Sequence, residues 1–224
     1  MSNIGFRIFT KIERLPKDFI AKFKGIPVAN IADNMGRISC VGTEIKRYSG
    51  KNMVGSAFTV KVAPGDNLMF HKALDMAQPG DVIVVDGEGS MAHSLCGEIM
   101  VQYALKKGIA GFLLNACFRD CEAISALDFN MYAKGVQPKG PYKNGPGEIG
   151  IPVCIGGVVI APGDILVGDA DGVVVIKPDD AHDILQKGIS HNKMEEQTFK
   201  DIADNKLDRS WVDKALKDKG CEII

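Results

Sequence analysis

The sequence lacks a long apolar run, and its charges nearly cancel. No stretch of 18 consecutive apolar residues occurs among the 224 residues, so no membrane-spanning helix is predicted. The first twenty residues are interrupted by charges and lack the apolar centre of a signal peptide. Lys and Arg total 27, and Asp and Glu total 28, which gives a formal net charge of −1. That balance excludes a nucleic-acid binder that acts through bulk positive charge, but it is compatible with a local basic pocket for a small anion.

The cysteines and histidines form no metal or disulfide pattern. The six cysteines are irregularly spaced without a CxxC pair, and several lie in apolar stretches. We therefore expect reduced thiols in a cytoplasmic protein. Cys117 and Cys121 are four residues apart, but no second Cys/His pair completes a zinc site. His93 is interpreted as a structural histidine, with hydrogen bonding to a site residue as the alternative.

Apolar periodicity predicts an α/β chain. Continuous Val/Ile-rich runs at 57–64, 81–89 and 109–116 are typical of strands that are buried on both faces. Helical spacing occupies 15–36, 66–77 and 94–108, and the last of these ends at Gly108. The order from residue 57 onwards is β-α-β-α-β, which favours a three-layer or half-wrapped sheet.

Three further segments are distinctive. Pro-Gly-Asp turns occur at 64–66, 79–81 and 162–164; since Pro fixes φ and Asp bonds to nearby backbone, we interpret them as structural. Residues 133–150 are rich in Pro and Gly, contain three lysines and predict a long loop. Residues 179–219 are highly charged with a helical apolar stripe. They predict a helical arm that packs either on a neighbouring subunit or on its own domain.

The residues best suited to chemistry lie after a buried strand and in the helix before it. Arg119 and Asp120 follow the apolar run 112–114 at the strand end where ligands bind in open α/β sheets. A plain salt bridge is the simpler interpretation of this pair. Glu98 lies in an apolar helix that follows the glycine-rich turn 86–90, and such a helix N-terminus suits a carboxylate or phosphate. The turn matches neither GxGxxG nor the P-loop, so a nucleotide site is not indicated.

The spacing of these residues, together with longer blocks, resembles one known family. Glu98, followed after twenty residues by Arg119-Asp120, matches the D/E-X20-R-D pattern of class II pyruvate aldolases. The similar blocks, within about residues 25–180, are GDNLMFHKAL, PGDVIVVDGEG, GEIMVQYALKKGIAGFLLNACFRD, AKGVQPKG and PGDILVGDADGVVVI. The family is that of the 4-hydroxy-4-methyl-2-oxoglutarate / 4-carboxy-4-hydroxy-2-oxoadipate aldolases. It shares its fold with RraA, a protein regulator of ribonuclease E.

The resemblance implies a fold and an assembly. It implies the α/β class, with a layered swivelling β/β/α-type RraA-like fold, a central mixed sheet and a helical C-terminal arm. The implied division is a catalytic domain at 1–178 and an arm at 179–224 that packs on a neighbouring subunit. A homotrimer or a dimer of trimers (a homohexamer), with sites at subunit contacts, is implied as well.

The resemblance also implies a metal-dependent carbon–carbon lyase. Such enzymes release pyruvate from a 4-hydroxy-2-oxo dicarboxylic or tricarboxylic acid, and they decarboxylate oxaloacetate. By carry-over, Asp120 is the direct ligand of Mg²⁺ or Mn²⁺, and Glu98 holds the ion through water and relays a proton. Arg119 faces the enolate oxygen. An acidic residue from a neighbouring subunit's arm is implied too, with Glu195 preferred over Glu196.

Substrate binding is implied for the start of the helix that contains Glu98. The backbone of Gly97, Glu98, Ile99 and Met100 is expected to bind the pyruvyl carboxylate, with Arg119 at the carbonyl. The segment 115–118 departs from the usual Asp-Gly sequence before Arg-Asp, which affects recognition of the distal end of the substrate more than the metal. Lys139 and Lys143 are interpreted as solvated loop residues, with contact to an anionic substrate as the alternative.

Three other functions remain open from the sequence. The first is an RraA-like regulator that binds a ribonuclease without catalysis, although retention of both Glu98 and Asp120 argues against it. The second is a Schiff-base aldolase that uses a buried lysine such as Lys61. The third is a different lyase or hydratase, because a fold does not determine a substrate.

Overall fold

The structure is a computed structural model that describes residues 3–222 and residue 224. Its contacts divide the chain into two compact units, Met1–Gly188 and Ile189–Ile224. The division falls inside a long helix, whereas the sequence-based boundary at 178/179 coincides with a 3₁₀ turn, Pro178–Asp180, just before that helix begins. Helical structure therefore starts close to residue 179, whereas the division of contacts comes at 188/189, and the proposed domain boundary stays a prediction.

The strands belong to the first unit and are mostly short. Their bounds are β1 Phe6–Ile8, β2 Lys46–Ser49, β3 Met53–Val62, β4 Asp81–Asp86, β5 Gly111–Phe118, β6 Asn130–Val136, β7 Gly147–Ile149, β8 Val153–Ile155, β9 Val158–Ile160, β10 Ile165–Gly168 and β11 Val173–Ile176. The three predicted core strands correspond to β3, β4 and β5, each of which is buried almost throughout.

The helices have the following bounds: α1 Lys17–Ile20, α2 Val28–Asp33, α3 Leu68–Met76, α4 Glu98–Lys106, α5 Cys121–Ser125, α6 Ala181–Ala203 and α7 Ser210–Asp218. The predictions for α3 and α4 are confirmed to within a few residues. The second unit contains the rest of α6 and all of α7, which carries exposed apolar side chains such as Trp211 and Leu216. Among the described residues, no helix combines the length and apolar character that crossing a bilayer requires.

Nine of the described strands form one mixed sheet. Their order is β1-β7-β3-β4-β5-β6-β2, and β10 pairs with both β3 and β11. Strands β3 to β6 are parallel to one another, and β1 is parallel to β7. Strands β7 and β10 run antiparallel to β3, and β2 runs antiparallel to β6. The carboxyl ends of β3 to β6 therefore meet at one edge, where ligands bind in sheets of this kind. The predicted α/β fold with a central mixed sheet is confirmed.

Both faces of the sheet are covered. On one face, α3 and α4 pack over an aromatic row in which Phe112 contacts Phe70 and Phe129 edge to face, with ring centroids 5.0 and 4.8 Å apart. Each such pair contributes about 0.5–1.5 kcal/mol beyond its buried area. On the other face, residues of β8 to β11 pack against Val84 and Leu113. This two-sided burial explains why the predicted strands are continuous apolar runs.

Two predictions of local structure are wrong in detail. The stretch 15–36 is not one helical segment. Helix α1 continues into a 3₁₀ turn at Ala21–Phe23, and residues 24–27 separate that turn from α2. Lys24 is extended and Gly25 has φ +88°, a conformation that favours glycine and ends a helix. The predicted loop 133–150 is also shorter, since β6 extends to Val136 and β7 begins at Gly147. The loop that remains, residues 137–146, is called the strap below.

Candidate active site

A short parallel seam joins the segment before α4 to the end of β5. The Leu95 amide donates to the Cys117 carbonyl over 2.8 Å, and the Arg119 amide donates to the Cys96 carbonyl over 2.9 Å. These bonds fix the start of α4 beside the residues that follow β5. Backbone pairing therefore makes the two parts of the D/E-X20-R-D pattern neighbours.

The Asp120 carboxylate accepts a hydrogen bond from the first residue of α4, although it follows that helix in the chain by about 14 residues. Its Oδ2 atom accepts a hydrogen bond of 3.0 Å from the Glu98 backbone N–H, and it lies 3.8 Å from Arg119 Nε. Asp120 has φ +62° and ψ +39°, a left-handed conformation that Asp and Asn tolerate better than most residues. A carboxylate at this position is stabilised by the partial positive charge of the helix N-terminus.

Gly97 makes this close approach possible. A Cβ atom at this position would lie 2.3 Å from Asp120 Oδ2 and 3.0 Å from Arg119 Cγ. The φ of Gly97 is −150°, an extended value open to any residue, so glycine is required here for space and not for conformation. Gly97 precedes the first residue of α4 and has no side chain that caps the helix, which leaves that role to Asp120.

A cavity of ≈ 210 Å³ opens beside these groups. Four of the predicted substrate or metal residues line it together with Asp120: Gly97, Ile99, Met100 and Arg119. Met100 is buried, whereas Ile99 is 83% exposed at the mouth. The other residues that line the cavity are Asn67, His71, Cys96, Pro141 and Lys143.

Glu98 is at the site through its backbone and not through its carboxylate. Its N–H bonds to Asp120, but its side chain does not line the cavity, and its Oε1 accepts a bond of 3.4 Å from Gln102 Nε2 along α4. The side chain is partly exposed, so its present direction is one of several rotamers open to it. The predicted roles of Glu98 in proton relay and in holding a metal through water stay predictions.

Of the wall opposite Arg119, the sequence analysis raised only Lys143, as an alternative contact to an anionic substrate; the default interpretation of Lys143 as a solvated loop residue does not match its place in the cavity lining. The wall consists of Asn67 and His71, one turn apart at the start of α3, and of Pro141 and Lys143 in the strap. Burial lowers the pKa of His71, the nearby Lys143 ammonium lowers it further, and Asp75 opposes the shift. Among the described residues, the buried Asn67 Oδ1 has no hydrogen-bond partner. The i, i+4 spacing of Asn67 and His71 was visible in the sequence, but nothing there placed Lys143 opposite them.

The strap is tied to the sheet edge at several points. The Ser94 amide donates to the Lys139 carbonyl over 2.8 Å, and the Tyr142 amide donates to the Gly65 carbonyl over 2.8 Å. A methyl group added at Gly140 would lie 3.1 Å from Arg119 Nη1, so the strap also borders the guanidinium. These backbone bonds make the strap an ordered wall of the cavity, although it lies between secondary-structure elements.

The donor atoms at the site fit a hydrated Mg²⁺ or Mn²⁺. The Asp120 side chain is 43% exposed and offers hard carboxylate oxygen. Mg²⁺ commonly binds through one or two carboxylates and keeps several waters. Zinc sites use three or four protein ligands. Among residues 3–222 and 224, no three His, Cys, Asp or Glu side chains lie close enough together to form such a site.

Glu195 lies in the second unit, on α6. Its Oε1 is 4.0 Å from His191 Nε2, and the adjacent Glu196 accepts a 3.0 Å bond from Asn192. A contribution to the site of a neighbouring subunit needs another copy of the chain, so this role of Glu195 stays a prediction.

Lys61 lies in an ion-pair cluster. Its Nζ is 2.8 Å from Asp86 Oδ2 and 3.1 Å from Glu88 Oε1. Burial lowers the pKa of Lys61, but the hydrogen bonds to Asp86 and Glu88 outweigh it, and the net shift is upwards. A Schiff-base lysine needs the neutral amine, so this environment disfavours that chemistry.

The remaining candidates from the sequence are His93 and the buried cysteines near the site. His93 packs against Tyr142 with ring centroids 5.0 Å apart and the rings tilted by 54°; it does not line the cavity, and among the described residues its buried Nε2 has no hydrogen-bond partner. Burial raises the pKa of the Cys117 thiol, which lies 3.3 Å from Met91 Sδ. Cys96 does line the cavity, but burial, reinforced by the Asp120 carboxylate, raises the pKa of its thiol, so it stays protonated.

Comparison with known proteins identifies the family. Residues 28–175 match the family model described as "RraA-like: Aldolase/RraA". The chain belongs to the Aldolase/RraA family. The matched range contains the seam, Asp120, both walls of the cavity and the strap.

Relatives within the Aldolase/RraA family carry two kinds of name. A protein of Halalkalibacterium halodurans named "Putative 4-hydroxy-4-methyl-2-oxoglutarate aldolase" is 38% identical over 201 residues, which cover 89% of this chain and 96% of the relative. A protein of Aromatoleum aromaticum with the same name is 36% identical over 149 residues, covering 66% and 93%. The structure of RraAS2 from Streptomyces coelicolor, described as an unusual member of the RNase ES inhibitor RraA protein family, has a TM-score of 0.75 at 26% identity, covering 83% and 98%.

Proposed function

We propose that the protein is a divalent-metal-dependent aldolase that releases pyruvate from a 4-hydroxy-2-oxo dicarboxylic or tricarboxylic acid, and that it also decarboxylates oxaloacetate. One observation carries the proposal: Asp120, Arg119 and the N-terminus of α4 meet at a cavity at the carboxyl edge of the sheet. The names of the curated relatives support an aldolase.

The pyruvyl end of the substrate is assigned to the Arg119 wall. The N-terminus of α4, from Gly97 to Met100, favours a carboxylate through the helix dipole, although the Glu98 N–H already binds Asp120 and the Met100 N–H binds the Gly97 carbonyl. Arg119 supplies a permanent cation whose planar fork matches the 2-oxo group. As the C3–C4 bond breaks, its electron pair becomes the pyruvate enolate, and negative charge grows on the oxygen that faces Arg119.

Asp120 is the residue that would hold the metal, with Glu98 as its partner through water. When bound, a divalent ion supplies a Lewis acid that stabilises charge on the pyruvyl oxygens by several kcal/mol. Asp120 is suited to this because one of its oxygens is fixed by the Glu98 N–H while the side chain stays partly exposed.

Proton transfer is assigned to Glu98. Cleavage requires that the 4-hydroxyl group lose a proton as C4 becomes a carbonyl, and that C3 of the enolate gain one to give pyruvate. The Glu98 N–H binds Asp120, and the role assigned to its carboxylate, which now accepts a bond from Gln102, requires a rotamer change towards the site and an intervening water. An acidic group such as Glu195, from a second copy in a trimer or dimer of trimers, is proposed to complete the site.

The opposite wall is assigned to the second carboxylate of the substrate. His71 and Lys143 present nitrogen donors there, and the fixed position of the strap orients Lys143. The ammonium group of Lys143 favours a dianionic or trianionic substrate over a monoacid of similar size.

The experiment is a pyruvate-release assay with 4-hydroxy-4-methyl-2-oxoglutarate, 4-carboxy-4-hydroxy-2-oxoadipate and oxaloacetate in the presence of Mg²⁺ or Mn²⁺. We expect turnover that EDTA abolishes and either ion restores. Asp120→Asn should lower kcat by at least about 10³-fold, whereas Glu122→Gln, at an exposed acid two residues later, should be unchanged. Full activity in Asp120→Asn would refute the proposal.

A regulator without catalysis is the second candidate function. It is favoured by the similarity to RraAS2. The two candidates differ in one measurement: a regulator binds and inhibits a ribonuclease whether or not Asp120 is intact, and it shows no metal-stimulated turnover with any of the three acids.

A further inference from the structure

The three Pro-Gly-Asp turns share a chemistry but differ in location. Each places a nearly fully buried carboxylate that accepts backbone N–H bonds: Asp66 is 4% exposed, Asp81 1% and Asp164 2%. Asp81 also pairs with Arg14, and Asp164 pairs with Lys177. Asp66 has no cation within salt-bridge distance among the described residues, and both of its carboxylate oxygens accept hydrogen bonds from backbone N–H groups.

The Asp66 carboxylate joins two separate segments. Its Oδ1 accepts a bond of 2.9 Å from the Leu68 N–H at the first residue of α3. Its Oδ2 accepts a bond of 2.6 Å from the Asn144 N–H in the strap, 78 residues away in sequence. A buried acceptor shared by two segments fixes their separation more firmly than either bond would alone.

Both segments contribute the wall opposite Arg119. Directly after Asp66 come Asn67 and, one turn later, His71, while Asn144 follows Lys143. The Arg119 wall is held by the Cys96 carbonyl and by Asp120, and its link to this segment is the Asn67 side-chain amide, which donates to the Leu95 carbonyl over 2.8 Å, and not the Asp66 carboxylate. The other end of the strap is held independently through Lys139 and Ser94.

We propose that Asp66 is a positioning residue that sets the distance between His71 and Lys143 and thereby determines the preference for a substrate with a second carboxylate. This inference rests on the proposed function, because it assigns the second carboxylate to that wall. It assigns Asp66 no contact with the substrate.

The test compares two reactions of the holoenzyme with Mg²⁺. Cleavage of 4-hydroxy-4-methyl-2-oxoglutarate uses both walls, whereas exchange of the pyruvate methyl protons with D₂O, followed by NMR, uses only the Arg119 wall. In Asp66→Asn only one of the two N–H groups keeps an acceptor. We expect KM for cleavage to rise by about tenfold, equal to about 1.4 kcal/mol, with kcat and the exchange rate within about twofold of wild type.

Two further variants separate positioning from general damage. Asp164→Asn alters the same kind of turn away from the cavity and should leave KM unchanged even if it lowers the melting temperature as much. Asp66→Ser keeps an oxygen that can cap the Leu68 N–H but is too short to reach Asn144 as well, so it should reproduce the rise in KM even if Asp66→Asn folds poorly.

A double-mutant cycle completes the test. If Asp66 acts by placing Lys143, then Lys143→Met should raise KM by itself, and Asp66→Ser should add little to it. Additive effects, an equal loss of kcat and methyl exchange, or a KM as high in Asp164→Asn would overturn the inference. Inactivity of the wild type in both reactions would instead count against the proposed function.

Discussion

Replacing Gly97 with alanine tests the central geometry of the site with a single methyl group. The added Cβ would lie 2.3 Å from Asp120 Oδ2, whereas ordinary contacts begin at 3.4 Å, so the carboxylate must retreat by about 1 Å. The bond from the Glu98 N–H, now 3.0 Å, then exceeds hydrogen-bonding length. A displacement of about 1 Å in a positioned group costs about 10²-fold in rate, or about 2.7 kcal/mol.

The stability of Gly97→Ala should change far less than its activity. The φ of −150° suits alanine, and the side chains of Arg119 and Asp120 are 45% and 43% exposed, so they can move into solvent. Losing one partly exposed hydrogen bond costs about 0.5–1.5 kcal/mol. The measurements are kcat/KM for pyruvate release and the thermal midpoint. Gly188→Ala, where the nearest atom lies at 3.3 Å, serves as the control. Activity within threefold of wild type would refute the close-packing argument.

Three further changes have distinct expected results. Arg119→Lys keeps the charge but loses the planar fork, so kcat should fall by about 10²-fold with Mg²⁺ present, and unchanged kcat would exclude Arg119 from the enolate. Because the pKa of His71 is lowered in the folded state, the unfolded chain takes up a proton at this histidine before the folded protein does. The free energy of unfolding should therefore fall as the pH drops below about 6.5. Urea titration at pH 7.5 and 5.5 should show a smaller fall in His71→Gln. Lys61→Met should turn over substrate as fast as wild type, and treatment of wild type with pyruvate and borohydride should leave its mass unchanged. A covalent adduct that forms in wild type but not in Lys61→Met would restore the Schiff-base hypothesis.

The sheet and its helices were predictable because burial on both faces leaves a strong pattern. Strands β3 to β5 are continuous apolar runs, and α3 and α4 show helical spacing, so their positions follow from the sequence within a few residues. Errors arose where one residue overrides a pattern. Gly25, with its positive φ, divides a stretch whose apolar residues alone predict one helical segment.

The candidate site was predictable only on the side that a local motif encodes. The pattern of Glu98 and Arg119-Asp120 located the wall at β5 and α4, but it could not show that the Glu98 carboxylate points along α4 towards Gln102. The opposite wall depends on long-range backbone bonds, such as that from Asn144 to Asp66 across 78 residues. No periodicity or spacing in the sequence records such a contact.

The strap has a consequence for how new specificities could arise on this scaffold. It lies outside the parallel strands; its first part, through Lys139 and Gly140, adjoins the seam and Arg119, whereas Pro141 and Lys143 line the cavity, so exchanges within 141–146 would reshape that lining and leave the contacts of Lys139 and Gly140 in place. Homologues could then share one bond-breaking apparatus and differ in the tail of the molecule they accept. Transplanting this segment between two relatives would accordingly transfer substrate choice without rebuilding the chemistry.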